Sequence, residues 1–537
     1  MTRARLHNDH VTSRLFLLLA LLLAAPLRAD DPATGDTISL RAGAYGTITL
    51  KEGQTLAGEQ GTKIERIVLA SDSTVRGVSA EQVSGRELRG RVTLQNVEAS
   101  TLSLLTQLGA FRWSGGSGAA IDLDGGNGEV TIENVTIRQE SGTAVRVANR
   151  SGGSVAFGQG STITVAAGKA EGIVLNANAG SVSFAAPVTI STTGARAMTV
   201  KSCDAVTMAG GTLTASGASA LQITATARLA ISLDRVESSG ADNGVVLDHT
   251  GGTATLRGVR VTKSGSAILL RDASGVRLEG VTIEGAARYG VEAERVDGLV
   301  LSDGELRGCG LAFRDARGDL AIIRTKVLEP PARDLYLVSG GGEGSLLIDG
   351  STFRGGRGPN AAQGALFELR GNAKLAVRIE DSTFADHFSN AIHVGASETA
   401  AADVIVRGCT FRGNNAAVVL HATGDSALRY RIAANREISG HSSTPIVVNG
   451  SSKHEVSGTV EENVIRADKP GSNGVSLTAG GSGPFFATVR GNTISSVAGS
   501  GISASAGGSG DVRLAITGNT IRDPLSSPTA RALAGQL

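Results

Sequence analysis

Aromatic side chains are nearly missing from this chain. Phe, Trp and Tyr together make up 3% of 537 residues, and Trp113 is the single tryptophan. That leaves few bulky core residues, and it counts against a glycan-binding platform of stacked rings. Cysteine is scarce and odd in number, at positions 203, 309 and 409. A disulfide framework is excluded, and thiols so far apart in the chain are expected to be buried and single. Charge of one sign is lacking too, since 51 Lys and Arg stand against 50 Asp and Glu. Neither nucleic acid nor an anionic membrane surface is the expected partner. Long apolar runs are missing as well. The run from Leu15 to Ala25 follows Arg3, Arg5 and Arg14 and holds eleven residues, too few to span a bilayer. It reads as an export signal over residues 1–29 with cleavage after Ala29, although Leu27 is larger than the preferred residue there. No Cys follows it, so a lipid anchor is not indicated. The mature chain then carries a net charge of about −2 and no transmembrane segment. The expected location is secreted: extracellular, at the cell surface or periplasmic.

What the chain does have is glycine, 73 residues of it, together with recurrent Val, Ile and Thr, the composition of many short strands and tight turns. It also repeats itself. "VRGNTI" at Val489–Ile494 returns as "ITGNTI" at Ile516–Ile521. Upstream, "VEENVI" from Val460, "VRGCTF" from Val406, "IEDSTF" from Ile379 and "IDGSTF" from Ile348 fit the same frame. A second phrase, apolar–variable–apolar, keeps step with the first. It begins at Ile121 and recurs at Val145, Ile173, Met198, Leu221, Val245, Ile268, Val291, Leu311, Leu335, Phe367, Ile392, Val418, Ile446, Val475 and Ile502, in steps of 20 to 32 residues. The widest step falls within residues 340–364. No window sustains helical spacing, and Gly interrupts every candidate helix.

Units of this length, each with about three short strands in the same order, can bury their apolar sides only by coiling and stacking like strand on like strand. The expected fold is all-β, a single right-handed parallel β-helix of about 16 or more coils, a rod on the order of 75 Å long. Residues 30–110 are read as a cap with the first, irregular coils, 111–523 as the β-helix and 524–537 as a tail. At the turn position of the first frame, Ser351, Ser382, Cys409, Asn463, Asn492 and Asn519 should form one row, each satisfying turn backbone in its neighbour. That row is architectural.

Through "LRAGAYGTITLKEGQTLAGE" at the entry, "IEDSTFADHFSNAIHV" in the middle and the "GNTI" rungs at the end, nearly all of residues 40–523 resemble the right-handed parallel β-helix, or pectin-lyase-like, superfamily. The likeness is greatest to β-helix regions of bacterial secreted and surface β-strand-repeat proteins. The resemblance implies a surface or adhesin-like role without an established catalytic site. It also implies that a cleft, if present, lies over one outward sheet.

The variable middle residue of the second phrase points outward and lets that sheet be read directly. Most of it is bland. The exception is Tyr336, Glu368 and His393, expected on successive coils, with Glu292 two coils before Tyr336 and with Asp386 and His387 in the adjoining loop. A phenol, a carboxylate and imidazoles together suit sugar binding or acid–base work. Motifs of the superfamily's enzymes are missing from the repeats: no polygalacturonase set, no epimerase-type Asp-Pro-His-Asp, and no Trp before the Asp248–His249 pair. Metal signals fail as well. "GGSGDV" at Gly507–Val512 has its Asp one place early for a calcium nonapeptide and no tandem copy. Neither metal nor cofactor is therefore expected. The sequence points first to a non-catalytic exported scaffold or adhesin-like module that meets extracellular polysaccharide or a cell-surface component. The alternative is a polysaccharide lyase or hydrolase centred on Glu368 and His393.

Overall fold

A computed structural model describes residues 35–105, 109–140, 142–355, 363–467, 472–522 and 531–536. The export signal expected at 1–29 lies outside these residues. Period-two alternation becomes strand throughout. Val475–Ala479, for example, buries Val475, Leu477 and Ala479 and leaves Ser476 and Thr478 half-buried on the other face. The 51 strands join into one continuous network, and among the described residues every paired register is parallel. No helix long and apolar enough to cross a membrane occurs among them.

A coil of the C-terminal half has three strands, as in Ile392–Ala396, Ala401–Arg407 and Thr410–Arg412. Each pairs with its counterpart one coil on, Val418–Gly424, Ala427–Ala433 and Glu437–Ser439. Side chains pointing inward stack in columns. In the third sheet Phe353, Phe384 and Phe411 lie face to face, with ring centroids 4.8 and 5.5 Å apart. The "GNTI" Gly has a plain backbone reason. It occupies a left-handed corner, with φ 63° at Gly491 and 61° at Gly518, where Gly carries no penalty.

The turn residues after these corners form a hydrogen-bonded row. Backbone N–H groups of Asn435, Asn463 and Asn492 donate to the side-chain Oδ1 of Asn463, Asn492 and Asn519 at 3.0–3.1 Å. Their amide Nδ2 groups donate to the same oxygens at 2.7–2.9 Å. Upstream, the Thr325 N–H meets Ser351 Oγ, the Ser351 N–H meets Ser382 Oγ, and the Cys409 N–H meets Asn435 Oδ1. Asn435 is thus a member that the repeated frame conceals, because one extra residue, Arg436, separates it from its strand. Cys203, Cys309 and Cys409 are buried free thiols. Burial pushes the Cys309 thiol up to about 11 and that of Cys409 to about 12.

Three readings of the sequence change. The early coils, read as irregular, are regular but smaller. They advance 19 residues at a time, from Thr55 to Thr74 to Thr93 to Arg112, with two strand segments per turn in place of three. Their shorter period shares no phrase with the later coils. At the other end, a further strand, Arg531–Gln536, lies inside the stretch read as a tail and continues the first sheet beside Ser500–Ala506. The third change concerns register. Fifteen of the sixteen second phrases align as read, but in the strand Gln363–Leu369 it is Ala365, not Phe367, that pairs with Leu335 before it and Ile392 after it. Ala365 and Phe367 both point inward. A slip of two residues keeps every side chain on its own face, so alternation alone does not choose between them.

Candidate functional site

The register of that one strand decides how the candidate residues meet. Along the first sheet, one outward column runs Glu292, Ala312, Tyr336, Leu366, His393 and Val419. The next runs Glu294, Arg314, Val338, Glu368, Gly395 and His421. Glu368 therefore does not lie between Tyr336 and His393, as the sequence suggested. It stands diagonally from both, with Leu366 between them. The diagonal is close enough for the Tyr336 hydroxyl to donate to Glu368 Oε2 at 3.2 Å, and Arg370 donates to the same oxygen at 3.1 Å.

Around this point the sheet surface dips into an open groove of about 320 Å3, lined by Arg333, Glu368, Arg370, His393, His421 and Thr423 with Gly395 at its floor. Gly395 matters through what it lacks. Any side chain there would stand between the Glu368 carboxylate and the His421 imidazole. The Arg333 guanidinium covers the Tyr336 ring at 4.6 Å from its centroid. Burial, then the neighbouring Glu368 carboxylate, pushes the Tyr336 hydroxyl above its ordinary range. His393 is held below the usual imidazole value, first by burial and then by His421, against the pull of Glu368. These influences favour its neutral form.

The other candidates go elsewhere. Glu292 is satisfied within its own surroundings: Ser266 Oγ donates to it at 2.7 Å and Arg314 at 2.8 Å. Burial raises its carboxyl, and those two donors more than reverse the effect, leaving it below the ordinary range. Asp386 sits at a left-handed corner, φ 61°, exposed and paired with Arg354 at 3.1 Å. That corner turns the next side chain, His387, into the interior, where its ring has no solvent exposure and cannot touch a ligand on the sheet. His387 Nδ1 donates to Asn414 Oδ1 at 2.6 Å and Nε2 meets Asp334 Oδ2. Asn414 Oδ1 also accepts the His387 backbone N–H, which fixes its orientation. Burial alone would lower the His387 imidazole, but Asp334 and Asn414 raise it. The pair ties coils on either side of the one that carries the insertion.

His421, Arg333 and Arg370 escaped the reading of the sequence. His421 had a usable signal. In "VVLH" from Val418 it lies two places beyond the outward Val419, so the same alternation turns it outward. Arg370 had the same signal, two places beyond the outward Glu368, whereas Arg333 shares the parity of the inward Leu335 and Leu337, so alternation did not turn it outward. Elsewhere, Asp248, His249 and Asp272 bring ligand atoms together at one exposed corner. Both Asp272 oxygens already accept from Arg295, at 2.7 and 2.8 Å, so the group forms part of a charge ladder.

Residues 336–521, which include the whole Asn row and the groove residues from Glu368 to Thr423 but not Arg333, match the family model for the right-handed beta helix region. That stretch is a right-handed parallel β-helix. The stacking of parallel strands carries the same β-helix back to Thr37 without a break. Among curated proteins no similar sequence was found.

Proposed function

We propose that this β-helix is an exported, non-catalytic surface scaffold that binds an acidic polysaccharide or cell-surface glycan in the groove over Gly395. The observation that carries the reading is the composition of that groove. Among the described residues lining it, Glu368 is the sole carboxylate, and Tyr336 and Arg370 already hold it. Arg333, Arg370, His393 and His421 stand around it, a set of donors suited to a ligand's carboxylates. Hydrolysis of a glycosidic bond ordinarily needs two carboxyl groups flanking it. Asp386, which could have supplied the second, is paired with Arg354 at its corner and does not line the groove. The export-signal pattern at residues 1–29 supports placing the rod outside the cytoplasm.

A second reading rests on His393. A neutral, partly buried imidazole is a competent proton acceptor, which suits a lyase that removes a proton beside a sugar carboxylate. Affinity electrophoresis in gels containing polygalacturonate or alginate separates the two readings when paired with an assay for unsaturated ends. The scaffold reading expects retardation that is lost in Arg333→Ala/Arg370→Ala, with no new ends formed. Release of unsaturated ends by the wild type and not by His393→Ala would establish the lyase instead.

A further inference from the structure

His393 sits at the end of a polar relay that runs outward over three coils. Ser442 Oγ donates to Asn415 Oδ1 at 2.9 Å, Asn415 Nδ2 to Asn390 Oδ1 at 3.3 Å, and Asn390 Nδ2 to His393 Nδ1 at 3.4 Å. The Ser442 hydroxyl can donate or accept, so the relay has two directions. In the one just described Asn390 Nδ2 faces Nδ1, which accepts in the neutral ring protonated at Nε2. The relay is also reversible as a unit. If Nδ1 gains a proton it can donate to Asn390 Oδ1, Asn390 Nδ2 to Asn415 Oδ1, and Asn415 Nδ2 to Ser442 Oγ. Every contact is kept with donor and acceptor exchanged. Ser442 is exposed, so the far end turns over in water.

The groups facing His393 set the sense of the switch. From neighbouring strands these are Tyr336 and Arg333, Glu368 and Arg370, and His421. Glu368 is the one that favours a charged His393, and it is shared with Tyr336 and Arg370. His421 and burial disfavour the charge. A ligand carboxylate placed over Gly395 would add a second anion facing both imidazoles, and the balance would tip.

We propose that binding of an anionic ligand in this groove is coupled to uptake of one proton by His393 from solvent, with the Asn390–Asn415–Ser442 relay reversing as it occurs. The proposal rests on reading the groove as an anion site. Its sign follows from linkage. The bound form carries the extra proton, so affinity rises as pH falls from the bound to the free titration range of His393, which lies below 6.5. The gain is up to about tenfold per pH unit.

The test is calorimetric titration of the full chain with oligogalacturonate, and with inorganic phosphate as a small anion, between pH 5 and 8 in buffers of different ionisation enthalpy. The expected result is uptake of close to one proton per site with oligogalacturonate. That uptake disappears in His393→Gln, and in Asn390→Asp the pH dependence moves to higher pH, because a carboxylate at Nδ1 favours the charged ring. Nitrogen NMR of His393 in the free protein should show the Nε2–H tautomer. Binding with no proton uptake, or uptake that persists in His393→Gln, overturns the coupling and leaves the groove reading standing. Absence of binding by both probes at every pH overturns the groove reading and the coupling with it.

Discussion

A buried asparagine in a β-helix corner does two things with one side chain, and the cost of removing it follows from counting. Asn463 Oδ1 accepts from the Asn435 N–H and from Asn435 Nδ2, while its own amide donates to the Ile432 carbonyl and to Asn492 Oδ1. Asn463→Ala leaves several of these groups buried and unpaired, and the expected loss is about 1–3 kcal/mol in the urea-unfolding free energy. Tyr430 is the converse case. Its ring is buried, and its hydroxyl has no hydrogen-bond partner among the described residues. Tyr430→Phe removes the orphaned group and keeps the packing, so it should leave the urea-unfolding free energy unchanged or raise it by up to about 1 kcal/mol. Glu461 makes the pH argument. Its side chain is almost fully covered, with Arg431 2.7 Å from one oxygen and Arg490 2.7 Å from the other. Burial acts to raise the carboxyl, and the two guanidiniums outweigh it and hold it below 4.5. A depressed carboxylate stabilises the fold above its unfolded value and loses that contribution as pH falls through its folded value. Thermal melts of Glu461→Gln should therefore fall below wild type at pH 7 and converge with it at the acid end.

At the scale of the strand, room inside the coil is allotted by pairing large residues with small ones. A Cβ at Gly450 would lie 2.6 and 2.9 Å from two ring carbons of Phe485 on the following coil. Gly450→Ala should cost about 1–3 kcal/mol through overpacking, and Phe485→Leu in the same chain should recover part of that loss in a double-mutant cycle. The sequence does announce this architecture. Phrases recurring in step leave stacking as the one way to bury them, and most of the strand register can be read from Ile121 to Ile502. Reading fails where length changes without a change of alternation. The extra Arg436 hides Asn435 from the row, and the insertion before Gln363 lets Phe367 pass for Ala365. The second slip moves Glu368 out of the Tyr336 column. Tyr336, Glu368 and His393 are legible in advance, whereas His421, although its alternation is readable, and Arg333 and Arg370 are added from the coordinates. His387 shows a different limit. Whether a loop side chain faces in or out depends on the corner at Asp386, and a left-handed aspartate leaves no mark in the pattern of apolar residues.

Across the whole molecule, regularity is itself informative about function. Each coil meets only its neighbours, so the rod can carry a local change without disturbing its ends. Arg333, Glu368, His393 and His421 gather on four successive coils beside the widest insertion, and the buried Asp334–His387 contact spans that insertion from inside. A scaffold that holds an acidic chain at this point, with one carboxylate, already engaged, among the described lining residues and two guanidiniums beside it, should bind without cutting. The most direct measurement incubates the wild-type protein with polygalacturonate and follows bound polymer and newly formed chain ends in the same sample. The account predicts saturable binding that is abolished in Arg333→Ala/Arg370→Ala, with polymer length unchanged over the incubation. Shortening of the polymer that depends on His393 or Glu368, or binding that survives loss of both arginines, would contradict it.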